Sequence, residues 1–303
     1  MKVKNSTAWW TLVAIMACCM WGISGIFAKE LFNIDTSISA IWLTQVRMII
    51  AGAILLVVGK IRGEKNLEIW HHKSDAGRLV FYSILGLIPV QFCYFMAIQE
   101  GNASIATVLQ FLGLFFVLFY DTFVRHTPLR PLDIICALAA FLGVAVIATD
   151  GHFNQLAVTP AVLLWGLGSA FGAATNMLAP GPLTRKYSSF QVTGWGLIVA
   201  GLVLLVCHPV FTPVKLTWTS ALLIGAVILI GTLLPFQMLN IALRHITATR
   251  ANMMDAFEPI SATLGSVLFL GLHLSAAEMI GSVLVVVAVM ALNYHPKKKQ
   301  PAK

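Results

Sequence analysis

Ten stretches of roughly twenty mostly apolar residues fill this chain and leave little room between them. They centre on residues 9–28, 37–59, 79–98, 103–124, 132–149, 158–179, 190–207, 219–240, 250–270 and 277–294. A helix needs roughly 20 apolar residues to cross a bilayer, so each stretch is a candidate span. The longest polar interval, near residues 60–77, is too short for a soluble domain. Only 11% of the residues are charged, against about a quarter in soluble domains. The runs lack the alternation of barrel strands. The fold class expected is therefore an all-α membrane protein.

The net charge of +8 would point to a polyanion in a soluble protein. Its placement points elsewhere. With ten spans and the N-terminus inside, seventeen of the twenty Lys and Arg residues fall on the cytoplasmic side, leaving Lys29, Lys215 and Arg47. That asymmetry is the positive-inside rule. It predicts a multi-pass protein of the plasma membrane with both termini cytoplasmic, a lipid bilayer for surroundings and no nucleic-acid partner. The basic start and apolar run of residues 1–28 read as a retained first span, because no small-residue cleavage site follows. Cys18, Cys19, Cys93, Cys136 and Cys207 all fall in predicted spans and read as small packing residues. The histidines gather near span ends without metal-ligand spacing. No metal, cofactor or catalytic residue is expected: there is no phosphate-cradling loop, GxSxG elbow or HExxH run.

The chain divides near residues 150–157, where Asp150, Gly151, His152 and Asn154 make a polar turn. Residues 1–150 and 151–303 then hold five spans each. Trp21-Gly22 recurs as Trp165-Gly166 at an offset of 144, and Ala97, Ala103 and Asp133 recur as Ala242, Ala248 and Glu278 at 145. Five is odd, so the second half must enter the membrane in the opposite sense. The pattern predicts two inverted five-helix repeats. Pro89 and Pro235 interrupt corresponding spans near mid-membrane, and paired interruptions of that kind point towards a binding site.

Aligned at 145, the fourth and ninth spans place Thr107 opposite Asn252, Gln110 opposite Asp255 and Gly113 opposite Glu258. Residues three apart share a helix face, so each copy presents a polar stripe, charged in the second. A carboxylate at bilayer depth costs several kcal/mol and persists mainly where it faces protein or a watery path. The stripes therefore read as lining for a solute, with Asp255 binding a cationic group or taking a coupling proton. Glu258 has a second reading, that of satisfying backbone freed near Pro259 or pairing with a basic residue. Gln91 with Tyr94, Gln237 with Asn240, and Asn176 are further lining candidates, although Asn176 could instead cap its helix. Trp21 and Trp165 occupy equivalent places and could face an amine or aromatic solute, or fill interhelical space. Arg47 reads first as snorkelling or as pairing with a carbonyl or carboxylate to hold the second helix, with a site role second. Lys29 reads as an anchor at the outer interface.

Ala242-Leu243-Arg244-His245-Ile246-Thr247-Ala248-Thr249-Arg250-Ala251, then Phe257-Glu258-Pro259 and Gly281, resemble the EamA branch of the drug/metabolite transporter superfamily. Trp21-Gly22 with Lys29, and Arg47 followed by Gly52, resemble its first two helices. The resemblance implies ten helices in two inverted repeats around a central cavity reached from alternate sides. It also implies a small solute such as an amino acid, an amine or a related metabolite, often moved outwards. Three places depart from the family pattern. Leu114 replaces the usual proline, so the fourth helix is expected to be straighter than the ninth. The acidic residues usual after these helices are replaced around Arg125-His126 and Gly271-Leu272-His273. The expectation is a secondary active carrier, an exporter ahead of an importer, with protons as a candidate coupling ion. A non-transporting receptor or scaffold and an intramembrane enzyme stand behind it. Homodimerisation stays open, because the small-residue pairs could serve internal packing.

Overall fold

The computed structural model describes residues 7–126, 128, 130–152, 157–209, 216–246, 251 and 254–292. Eight helices in it are long and apolar enough to cross a membrane: α1 (Thr7–Ile34), α2 (Ala40–Ile61), α3 (Lys73–Glu100), α4 (Ala103–Phe123), α5 (Pro131–Thr149), α6 (Pro160–Thr184), α7 (Ser189–Cys207) and α8 (Trp218–Leu239). Two shorter apolar helices follow, α9 (Phe257–Leu270) and α10 (Ala276–Leu292). No strand occurs among the described residues. Large apolar side chains face outwards along the bundle, with Phe141 72%, Val206 81% and Phe269 76% exposed. In water such a surface would aggregate; against lipid it costs nothing.

Local chemistry sets the helix ends. The side chains of Ser39, Asn102, Thr159, Ser188 and Thr217 accept from backbone N–H groups in the first turns of α2, α4, α6, α7 and α8. Pro131 and Pro160 sit in the first turns of α5 and α6, where no N–H is needed. Asp150 (φ 49°) and Gly271 (φ 62°) turn left-handed to end α5 and α9. Several ends differ from expectation: α1 runs to Ile34, past the expected 28, and α6 to Thr184, past 179. α3 begins at Lys73, six residues before the apolar run. α9 begins at Phe257 instead of 250, with a turn at Asp255 and Ala256 before it.

Close helix contacts run through glycines. A Cβ on Gly52 would lie 2.7 Å from the Gly194 carbonyl, and one on Gly143 would lie 2.8 Å from the Gly281 carbonyl. These glycines join α2 to α7 and α5 to α10. In the same way Gly22 seats α1 on α9, and Gly166 seats α6 on α4. Small residues let backbones approach where lipid supplies no hydrophobic drive between helices.

Helices α3 and α8 are not regular. Ser83–Leu87 and Pro89–Cys93 of α3 are π-helical, and so is Leu229–Leu233 of α8. Both prolines lie beside these segments, as expected from a missing N–H that widens the turn. α4 was expected to be the straighter partner of α9, yet it is interrupted at Leu112. There Leu112 and Phe115 donate three residues back, to Leu109 and Leu112. Glu258 likewise donates to the Asp255 carbonyl, three back. A tightened turn therefore interrupts α4 without any proline, as a similar turn precedes α9.

Candidate functional site: a polar cavity inside the bundle

An apolar bundle has one reason to hold many polar side chains at mid-depth, which is a watery interior. A cavity of about 470 Å³ lies there, walled by α1 to α4, α6 to α8 and the start of α9. Nothing from α5 or α10 lines it. Trp21 and Ser24 come from α1, Arg47 from α2, Gln91 and Tyr94 from α3, and Thr107 and Gln110 from α4. Asn176 comes from α6, Thr193 from α7 and Phe236 from α8, with Asp255 and Glu258 on the α9 side.

The cavity reaches the surface at one end. Thr184, Met177 and Leu243 line it and are exposed. The same end carries a joint between the α2–α3 connection and the α6–α7 connection. Buried Asp75 accepts from Lys186 at 3.0 Å and from the Tyr187 hydroxyl at 2.9 Å, while Ser188 bonds Glu64. Partial burial and the Asp75 carboxylate both push the Tyr187 phenol above its ordinary range, so it remains a donor.

At the opposite end polar contacts tie helix ends together. Lys29 donates to the carbonyls of Ile98, Gln99 and Gly101, at 3.2, 3.3 and 2.6 Å. An ammonium there meets the negative end of α3 and satisfies carbonyls that the helix leaves open. It is thus a helix cap and not the interface anchor expected of it. Gln99 accepts from the Ala40 N–H at 2.8 Å, and Gln45 donates to the Leu204 and His208 carbonyls. Lys29→Met is expected to cost about 1–3 kcal/mol of stability, since charge-assisted bonds are lost and buried carbonyls are left unpaired. Thermal unfolding of the purified variant checks this, and an unchanged midpoint would count against the role.

The two carboxylates occupy a break and not a continuous helix face. Asp255 sits in the turn before α9 and accepts from the Cys18 thiol at 3.3 Å. Glu258 stands in the first turn of α9, where the helix N-terminus favours negative charge. Its side chain has no hydrogen bond or ion pair with another described residue. It lies within Coulombic reach of Asp255, Arg47 and Tyr94. Two acids facing a watery space beside one buried guanidinium can hold a cationic group or exchange a proton.

Eight of the residues singled out from sequence line this cavity: Trp21, Gln91, Tyr94, Thr107, Gln110, Asn176, Asp255 and Glu258. Tyr94 donates to Thr107 Oγ1 at 2.9 Å, and that hydroxyl donates on to the Ala103 carbonyl. Gln110 donates to the Val90 carbonyl at 2.8 Å. Asn176 accepts from the Tyr82 hydroxyl at 3.0 Å and is a wall residue, not a helix cap. Trp21 lines the cavity and meets the edge of Phe236 at 5.4 Å. Trp165 does not line it, because its ring packs edge-on against Phe92 in the core. Gln237 is also absent from the wall. Asn252 and the Asn240 side chain lie outside the described residues.

Ser24, Tyr82, Ser189 and Thr193 line the cavity without having been singled out from sequence. Ser24 lies three residues after Trp21, a spacing that could have found it. Tyr82 falls near the start of the span expected from residue 79. Gln91 is 6% exposed, and its Oε1 has no hydrogen-bond partner. An unmade buried bond costs about 1–3 kcal/mol, so Gln91→Leu is expected to raise the unfolding midpoint while lowering transport. A variant that loses stability and keeps full transport would show that Gln91 is a packing residue.

The comparisons with known proteins agree with this geometry. A solved crystal structure of a protein shares the fold, with a TM-score of 0.63 at 20% identity over 95% of this chain and 97% of that one. The uncharacterized inner membrane transporter YicL of Salmonella typhimurium is 28% identical over 98% of this chain and 99% of its own length. The threonine/homoserine exporter RhtA of Escherichia coli K12 is 22% identical, covering 97% of this chain and 95% of its own. Residues 8–149 and 160–294 each match the EamA-like transporter family. The chain belongs to that family and is a multi-pass membrane transporter protein.

Proposed function

We propose that this chain is a secondary active transporter of the plasma membrane that exports a small amine-bearing metabolite, an amino acid or a related solute. It works by alternating access of two inverted five-helix repeats, residues 1–150 and 151–303. The observation that carries the reading is the cavity itself, with Asp255 and Glu258 on its wall, since a carboxylate inside an apolar bundle persists mainly where it faces protein or a watery path.

Several features support the repeats. The family match falls separately on each half. The π segments begin at Ser83 and Leu229, 146 residues apart (229 − 83), close to the offset of the sequence repeats. Interrupted helices in corresponding places favour a binding site between the halves. The Asp75 end carries most of the Lys and Arg residues and is the cytoplasmic side. The conformation described is then inward-facing, with Lys29 sealing the outer end.

Asp255 takes the solute's ammonium group or a coupling proton, and competition between the two for one carboxylate would link their fluxes. The likeness to RhtA, a threonine/homoserine exporter, favours the outward direction. The test is mass-spectrometric profiling of medium and cells from a strain expressing the protein and from the same strain with an empty vector. Enrichment of a metabolite in the medium supports export. Its depletion from the medium with gain in the cells would reverse the direction, and identical profiles would speak against transport.

A further inference from the structure

The cavity wall holds a cation with no anion in contact. Arg47 is 7% exposed. Its Nε donates to Thr232 Oγ1 at 2.7 Å, one terminal nitrogen donates to the Gly231 carbonyl at 3.1 Å, and the guanidinium lies 4.9 Å over the Phe95 ring. These bonds use two of five N–H donors. Among the described residues no carboxylate lies within 4.0 Å of Arg47. Glu258 is near enough to be felt but not to pair.

A buried charge is expensive unless it is paired and hydrogen-bonded. Two neutral acceptors and a ring face recover only part of that cost. A purely structural arginine tying α2 to α8 would be expected to point all its donors at protein. This one lines the cavity instead. Gly231, whose carbonyl accepts from Arg47, packs closely on Ser24, and a Cβ there would collide with that side chain. Gln91, on the same wall, independently keeps a buried amide oxygen without a partner. The cavity wall thus presents two polar groups that the protein itself does not fully pair.

We propose that Arg47 is the anchor for a carboxylate on the solute, so that the site takes amino acids and similar zwitterions in preference to the corresponding simple amines. The inference rests on the transporter reading and narrows its solute class. The guanidinium fork suits a carboxylate in two-point contact. The ammonium group, one carbon away in an α-amino acid, then turns towards Glu258 and Asp255. A simple amine would satisfy the acids and leave the guanidinium bare.

The test is binding of matched pairs to the purified full-length protein, read by thermal shift and calorimetry. The probes are the protein L-amino acids, the amines they give on decarboxylation (isobutylamine for valine, phenethylamine for phenylalanine) and their methyl esters. At least one amino acid is expected to bind about tenfold or more tighter than its amine and its ester, as a charge-assisted pair implies. Arg47→Gln is expected to bring the amino acid down to the level of its amine, and Arg47→Lys to keep part of the difference. An amine that binds as well as its parent acid would overturn the proposal, as would a ratio unchanged in Arg47→Gln or no binding by any amino acid. If Arg47→Gln does not fold, the wild-type comparison of acid, amine and ester decides alone. Flux of a simple amine in vesicles that equals or exceeds that of its parent amino acid would leave the transporter reading standing and sink only the role of Arg47.

Discussion

Asp255→Asn is expected to leave the protein in the membrane at normal abundance and to lower flux by about ten- to a hundredfold. The side chains are nearly isosteric, and the asparagine oxygen can still accept from the Cys18 thiol as Asp255 does at 3.3 Å. Packing around the turn before α9 therefore survives. What is lost is charge. The amide can neither pair with an ammonium nor carry a proton, and a charge-assisted bond is worth about 1.5–3 kcal/mol, or roughly ten- to more than a hundredfold. Removing an acid from bilayer depth, where it costs about 2.5–3.5 kcal/mol on insertion scales, should leave stability unchanged or improved. Efflux normalised to membrane abundance is the measurement. Flux at the wild-type level with the same pH dependence would remove Asp255 from the mechanism.

The second large effect concerns folding. Gly172→Leu is expected to abolish accumulation of the intact protein. A Cβ there would strike the Val90 nitrogen and lie 2.7 Å from the Pro89 carbonyl carbon. Both are backbone atoms of the π-helical part of α3, which cannot move aside as a flexible side-chain end can. Overpacking costs about 1–3 kcal/mol where side chains give way, and more where two backbones must part. Gly225→Leu is the control, because nothing lies within 4 Å of a Cβ at that position. Detergent extraction and size-exclusion chromatography compare the two. Equal monodisperse yield would show that α3 and α6 need not touch at Gly172.

Much of this architecture was legible because lipid imposes strong rules on sequence. Apolar length marked the spans, whereas the caps Ser39, Asn102 and Ser188 came only from the structure. Pro89 and Pro235 marked the irregular helices, since a missing N–H has local consequences that no packing can hide. The break in α4 at Leu112 carried no such signal. It follows from the close approach of Gly113 to the Ala170 carbonyl, 2.8 Å from a Cβ there, which is a long-range fact.

The site was legible in kind more than in detail. Polar residues in apolar runs found Gln91, Tyr94, Thr107, Gln110, Asp255 and Glu258, because bilayer depth tolerates few other uses for them. Equivalence between repeats misled for Trp165. It matches Trp21 in sequence, yet it packs on Phe92 while Trp21 meets the cavity. A conformer open at one end places corresponding residues of two halves in unlike surroundings, so sequence symmetry does not carry over to exposure. Arg47 shows the converse. Its bonds to α8 are the structural role expected, and its place on the cavity wall depends on how α2 meets α8, which no local pattern encodes.

The central claim is that this chain alone carries a solute through its cavity. Purified protein would be reconstituted into sealed vesicles preloaded with a mixture of amino acids and amines, and retained solutes would be quantified by mass spectrometry over time. The account expects at least one solute to leave wild-type vesicles faster than vesicles holding Asp255→Asn, which should leak like protein-free ones. Equal retention of every solute in all three preparations would contradict it.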